Sequence, residues 1–314
     1  MHKLYDYQGN SLNIDDYATP EMYGAKGDGT ADDSTAIQNA VNNKGLVLFS
    51  SGKNYKVTST IRVKKDTILD LNGSTITSTN KHLFFNFLST DTFTGYAGNG
   101  NITIKNGTII GGAISFGHGE NIILENVIFK DSLNDHFLEI AGCKNYSIRN
   151  CKFSGMADVQ TSVYEYINVD PVTHAAFPWL ADGSAFYDGA KNDGIYIDNC
   201  YFSLGTGSYE YGFNAFGAHG VMGQSVKHKN IRLTNNKVLD FTGCGFRIND
   251  MENVFIANND IRVAGDGIRV GDVGQSTDVL IKGNVIFTSG TAVTKDNNST
   301  VFQSVDNDIN PTFS

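Results

Sequence analysis

The sequence predicts an all-β chain wound as a right-handed parallel β-helix, a single-stranded solenoid of roughly nine or ten coils with a short N-terminal capping helix. Three observations predict it. One pattern recurs in seven segments, an Asn stands at the same place in nearly all of them, and the composition suits many short strands joined by tight turns.

The repeat is the strongest of the three. The segments are NITIKNGTI (101–109), NIILENVIF (121–129), NYSIRNCKF (145–153), GIYIDNCYF (194–202), NIRLTNNKV (230–238), NVFIANNDI (253–261) and DVLIKGNVI (278–286). Apolar residues alternate, as in a strand with one buried face. A turn residue follows at Asn106, Asn126, Asn150, Asn199, Asn235 and Asn258, with Gly283 in the last copy. Asn suits the place twice over. It tolerates a left-handed backbone, and its amide can bond the equivalent amides above and below. Spacings of 20, 24, 49, 36, 23 and 25 residues set a plain coil at 20–25. DLNGSTI (70–76) and VDNDI (305–309) read as further coils. The two long intervals hold insertions at about 155–192 and 203–227, and solenoid insertions map to loops on a face that often binds.

Composition agrees. The 314 residues are long for one compact domain but ordinary for a solenoid. Gly (34) and Asn (33) are abundant, Pro (4) is scarce, and both abundant types accept left-handed angles. A net charge of −9 argues against a nucleic-acid partner, which would need a Lys/Arg surplus. No apolar run approaches the roughly 20 residues of a membrane span. The start, MHKLYDYQGN, has no signal-peptide pattern, which predicts synthesis in the cytosol, export by another route, or a trimmed chain. Cys143, Cys151, Cys200 and Cys244 lack zinc-site spacing and read as buried core thiols.

Residues 1–45 read as an N-terminal segment with the capping helix, and 46–314 as the β-helix. Ala36, Ile37, Ala40 and Val41 share one helical face, Asp32, Asp33 and Ser34 are N-cap candidates, and Gly45 follows the helix end. Such a helix would cover the exposed core and strand edges of the first coil. The stretch GAKGDGTADDSTAIQNAV resembles the entry motif of the pectate-lyase-like superfamily of β-helical proteins, common in phage tail spikes and polysaccharide depolymerases. The repeat extends the resemblance over nearly the whole chain. It implies a fold and leaves function to the site. Asp32 and Asp33 read as structural caps.

A second short strand precedes each repeat: GAISFG, FLEIAG, YINVDP, GFNAFG, GFRIND and GIRVGD. Alternation turns Ser115, Glu139, Asn168, Asn214, Arg247 and Arg269 outward, with Asp170, Phe216 and Asn249 one step further along. Coils spaced about 4.8 Å apart bring Glu139 and Asp170 within roughly one sugar ring of each other. A polar ladder is also what any solvated sheet face shows. Here the carboxylates cluster in middle coils and the arginines follow them, and the first insertion carries Trp179, the sole Trp, among Tyr164, Tyr166, Phe177, Phe186 and Tyr187. Aromatics on a polar groove wall suit stacking on sugar rings, or a small core closed over a loop.

The order NVD (168–170), HGVMGQS (219–225), RIN (247–249) partly resembles polygalacturonase-type glycoside hydrolases of this fold. The resemblance implies an acid/base carboxylate at Asp170, an orienting His219 and a substrate-holding Arg247. The chain departs from that pattern. Its Gly217-Ala218-His219-Gly220 carries an extra residue, Asn249 replaces a Lys, and the paired Asp has no clear counterpart among Asp182, Asp188 and Asp193. His136, beside Asp135 and Glu139, reads as a substrate contact or a polar turn residue. That cluster lacks regular ligand spacing, so no metal site is predicted.

These residues point to a carbohydrate-active protein, a phage-tail or secreted depolymerase of a bacterial surface polysaccharide. Catalysis would fall to Asp170, Glu139, His219 and Asp193. Substrate contacts would come from Arg247, Arg269, Asn168, Asn214, His136, Trp179 and Tyr166. A hydrolase, with two carboxylates flanking the bond, is favoured. A polysaccharide lyase would use the arginines, with Ca²⁺ as its only possible cofactor, and a teichoic acid would demand a phosphodiesterase. The alternative is a non-catalytic glycan adhesin. A bare structural shaft would gain nothing from the insertions. The sequence further predicts a homotrimer contact or a short terminal strand over the last coil, and a place on a virion tail, in a baseplate or outside the cell.

Overall fold

Strands that alternate apolar and polar, and that meet a left-handed residue at fixed intervals, can bury one face only by stacking on their own repeats. The computed structural model describes residues 17–157, 164–181, 183–210, 212–219, 226–272, 274–296 and 299–310. Its successive coils pair in parallel, as in Ile104–Leu124, Leu124–Ile148 and Ile148–Ile197. Nine of the described strands form a narrow sheet. They are β1 (Ile61–Arg62), β2 (His82–Phe85), β3 (Ala113–Gly117), β4 (Leu138–Ala141), β5 (Glu165–Asp170), β6 (Asn214–Gly217), β7 (Phe246–Ile248), β8 (Ile268–Val270) and β9 (Val293–Lys295). The others form a 19-stranded sheet that closes the coil. The solenoid is the right-handed parallel β-helix that the sequence predicts.

The Asn positions are the corners. Asn106, Asn126, Asn150, Asn199, Asn235, Asn258 and Gly283 all have φ between 51° and 64°. Their amides stack as the repeat implies. Asn126 donates to Asn106 (3.2 Å) and Asn199 to Asn150 (2.8 Å), whereas Asn235 turns to Asp198 (2.7 Å). A second left-handed ladder opens each segment, with Asn121 donating to Asn101 and Asn145 to Asn121, each at 3.1 Å. A third is buried. Asn236 donates through its backbone to the Asn259 side chain (2.8 Å), and Asn259 likewise to Asn284 (3.0 Å). Each of these side chains satisfies a backbone group that the turn would otherwise leave unpaired.

Inside, equivalent residues stack on themselves. Ile104, Leu124, Ile148, Ile197, Leu233, Ile256 and Ile281 form one buried column. Phe129, Phe153 and Phe202 stack with ring centroids 4.8 and 5.0 Å apart. All four cysteines are buried free thiols. The helix α1 (Ser34–Asn43) buries Ala36, Ile37, Ala40 and Val41. Asp32 accepts from the Ser34 amide at 3.1 Å, so it makes the capping bond at this end. Asp33 turns the other way and takes the amides of Lys26 (2.7 Å) and Gly27 (3.1 Å), clamping the loop ahead of the helix.

The stretch 155–192 contains β5 and then a cover over the early coils. Phe177, Phe186, Leu180 and Val172 pack with Phe87 and Ala141 into a small second core. A side chain at Gly117 would meet Phe186 at 2.9 Å, so this glycine sets how closely the cover approaches the sheet. His118 holds the cover, with its ring nitrogens 2.7 and 2.9 Å from the carbonyls of Gly95 and Phe186. Within 203–227 the structure describes residues up to His219, apart from residue 211, and resumes at Val226.

Candidate active site

Leu138, Ile140, Ile167, Val169, Phe246 and Ile248 point inward, so their neighbours on the narrow sheet face out. The register then reads Arg62, Phe85, Ser115, Glu139, Asn168, Gly217, Arg247, Arg269 and Thr294 along one line. It departs from the sequence reading in one strand. Phe216 pairs with Phe246, three residues off the expected register, so Gly217 takes the place expected for Asn214. Phe216 therefore lies in the core. Asn214 is buried, with its amide on Glu165 (3.1 Å) and its carbonyl oxygen on the Cys244 amide (2.7 Å). The single aromatic spacing of GFNAFG hid this slip, because Phe213 and Phe216 fit the pattern equally well.

At the middle of the line three carboxylates and two imidazoles converge. Asn168 donates to Glu139 at 3.0 Å. His219 Nδ1 lies 2.9 Å from Asp170 Oδ2, and its Nε2 lies 3.4 Å from Glu165 Oε2. Arg247 reaches Glu165 Oε1 at 3.4 Å, and His136 Nε2 lies 3.8 Å from Glu139. Glu139, Glu165 and Asp170 are all buried, while the His219 side chain is 42% exposed.

Burial separates these groups electrically. Burial, and then the charge of Asp170, push Glu139 well above the usual carboxylate range, against the Asn168 hydrogen bond. Burial also works to raise Asp170, but the hydrogen bond and charge of His219, helped by Asn168, outweigh it and hold that carboxyl low. The converse holds at His219, where Asp170 and then Glu165 overcome burial and raise the imidazole. Burial lowers His136, with Glu165 opposing. The surroundings thus favour the protonated form at Glu139 and the ionised form at Asp170, a division that suits acid/base chemistry.

Of the residues singled out in the sequence, Asp170, Glu139, His219, Asn168, His136 and Arg247 meet here. Arg269 stands one coil beyond Arg247 and is tied to Asp266 at 2.9 Å and Asp272 at 3.6 Å. Asp193 does not join them. It opens a strand of the wide sheet beside Lys144 and accepts from Asn230 at 2.6 Å. Tyr166 is also elsewhere. The corner that opens β5 turns its ring into the core against Phe137 and Phe241, and its hydroxyl donates to Ser203 (3.1 Å). Such a buried ring offers no surface to a substrate. Trp179 lies in the cover, partly exposed, stacked on Phe85 (5.3 Å, 7°) and close to His82 (4.2 Å). That places it on the outward line, two coils before Glu139. Asp182 and Gly220 lie outside the described residues.

Sequence reasoning missed Glu165. In EYINVD the alternation that turns Asn168 and Asp170 outward assigns Glu165 inward. The same corner that buries Tyr166 swings Glu165 to the groove. A glutamate is almost never fully buried without partners, and that was the available signal.

No family model matches the chain. Among curated proteins it is similar to plasmin and fibronectin-binding protein A of Streptococcus pneumoniae, 29% identical over 314 residues, or 86% of this chain and 42% of that protein. A 48-residue stretch is 56% identical to a capsule-specific depolymerase of a Klebsiella phage, covering 14% of this chain and 6% of that protein. The chain thus spans less than half the length of the curated relatives it matches. Among solved structures, the S. pneumoniae surface adhesin PfbA superposes with a TM-score of 0.75 at 22% identity, covering 95% of this chain and 87% of that one. The tailspike of E. coli bacteriophage HK620, in complex with a hexasaccharide, gives 0.64 at 12% identity, covering 97% and 59%. Repeat, corner ladders and these superpositions together place the fold of this chain among the parallel β-helices, the fold of the streptococcal surface adhesin and of the phage tailspike.

Proposed function

We propose that this chain binds a bacterial surface polysaccharide along the outward line of the narrow sheet and hydrolyses it at Glu139 and Asp170. The observation that carries the reading is the placement of two buried carboxyls on adjacent coils, on either side of Asn168, in a line that continues to an aromatic platform at Trp179 and Phe85. Glu139 would protonate the leaving glycosidic oxygen. Asp170, kept ionised by His219, would attack the anomeric carbon or activate water. The depolymerase and tailspike likenesses support a polysaccharide substrate and a virion-tail or extracellular setting.

The lyase form is less well supported. It needs a cation free to neutralise a uronate, with or without Ca²⁺, but Arg247 is paired with Glu165 and Asp272, and Arg269 with Asp266. A teichoic acid would need the same cations. The adhesin reading rests on a specific observation, the likeness to a streptococcal binding protein along most of the chain. Glu139→Gln tests both together. Loss of new reducing ends with retained binding supports the hydrolase, while wild-type protein that binds and releases no product supports the adhesin. The assembly we propose is a homotrimer, and a monomer mass in light scattering would oppose it.

A further inference from the structure

The geometry points to a divalent transition-metal site made by His136, His219 and Glu165, open to the groove beside Glu139. One ligand atom from each of the three lies within 4.8 Å of the other two. His219 Nε2 and Glu165 Oε2 are already 3.4 Å apart, about the edge of a tetrahedron with ~2.1 Å bonds.

Every other polar atom of these three side chains is engaged in a way that frees the ligand atom. His136 Nδ1 lies 2.6 Å from the Glu165 backbone carbonyl, which can only accept. His219 Nδ1 faces the Asp170 carboxylate, which also accepts. His136 therefore carries its proton on Nδ1 and presents Nε2, and in His219 a metal on Nε2 would take the place of the proton facing Glu165 while Asp170 holds Nδ1, the arrangement in which a carbonyl or carboxylate behind a histidine orients it on a metal. Glu165 follows the same logic. Its Oε1 takes Asn214 (3.1 Å) and Arg247 (3.4 Å), while its Oε2 is buried with no hydrogen-bond partner. Only the His219 ring nitrogen stands near that oxygen, at 3.4 Å, and a metal ion between the two would replace that long contact with a bond to each.

The donor set selects the metal class. Two imidazoles and one carboxylate suit zinc and its neighbours, whereas calcium and magnesium prefer oxygen donors. Three protein ligands leave a fourth position. Glu139 borders it, with Oε2 3.8 Å from His136 Nε2 and Oε1 buried without a partner. That position would take water or a substrate oxygen. No ligand spacing in the sequence marks the site, because its ligands come from three coils and strand alternation alone would turn Glu165 inward.

The inference stands apart from the glycan reading and is tested with metal alone. Protein stripped with a chelator is titrated with Zn²⁺ by calorimetry and with Co²⁺ by visible absorption. We expect one equivalent bound, an intense tetrahedral Co²⁺ band, and a melting temperature raised by saturating Zn²⁺. His219→Ala and Glu165→Gln should each weaken binding at least tenfold. His219 is half-exposed, so its variant folds even where Glu165→Gln does not, and circular dichroism checks both. Wild-type affinity no greater than that of His219→Ala, or a Co²⁺ spectrum of the aqueous octahedral kind, would overturn the site. Cleavage assays on the same stripped and loaded samples report on the glycan reading separately.

Discussion

His219 and Asp170, 49 positions apart in sequence, meet through a 2.9 Å contact that ties the loop after β6 to the end of β5. The contact favours the ionised form of Asp170 within a buried cluster, beside a Glu139 that burial and the Asp170 charge push well above the usual carboxylate range. Asp170→Asn should therefore lower kcat by about 10²–10⁴-fold with little change in KM, the usual loss for an acid/base group. Reducing-end release on a responsive polysaccharide checks this. A change in KM alone would assign Asp170 to binding.

Trp179 supplies a flat ring two coils from Glu139, stacked on Phe85. Trp179→Ala should weaken oligosaccharide binding by about 3- to 10-fold, the worth of one aromatic stacking contact, and leave kcat on a saturating substrate unchanged. Calorimetric titration of an inactive variant, with and without the change, would show it. Unaltered affinity would limit Trp179 to packing of the cover.

The corner ladders differ in stability. Asn259 is buried and bonds Asn236, Asn284 and the Leu233 carbonyl, so Asn259→Ala strands several polar groups and should cost about 3 kcal/mol. Asn235 is a left-handed corner with φ of 56°. Asn235→Gly should cost less than about 1 kcal/mol, because glycine adopts that angle freely. Urea titrations of both variants would rank them, and the reverse order would mean that the Asn235–Asp198 pairing at the exposed corner matters more than the buried ladder.

His228 predicts a pH dependence of stability. Burial pushes its imidazole down to about 3, the Lys191 charge adding to burial and Asp170 opposing, and its Nδ1 accepts the Asn192 amide at 3.1 Å. The unfolded chain takes up this proton near the ordinary histidine value of about 6.5, and the folded chain does so only near 3. Its contribution to stability is therefore complete above about 6.5 and declines as pH falls towards 3, by up to ~1.4 kcal/mol per pH unit. Denaturation midpoints between pH 7 and 4 should fall less steeply for His228→Gln than for wild type. Parallel slopes would show the ring to be protonated in the fold.

How much of this was legible follows from what repeats. The corners at Asn106 through Gly283 were readable because stacked coils impose one backbone angle at one place, and the sequence must answer each time. Glu139, Asn168 and Asp170 were readable because alternation along a strand is strict. Asn214 was not, since two phenylalanines three residues apart left the register ambiguous and a slip moves every side chain. Glu165 and Tyr166 were not, since a strand corner exchanges inside and outside. Asp193 carried the right chemistry on the wrong sheet, and nothing local distinguishes the two sheets of a coil.

The most direct test of the central claim is a paired binding and product assay of wild type and Glu139→Gln on a panel of bacterial wall and capsular polysaccharides. The account predicts that wild type releases new reducing ends, without the ultraviolet absorbance of unsaturated uronates, and that the variant binds the same polysaccharide but releases none. Equal release by both proteins, or release with that absorbance, would contradict it.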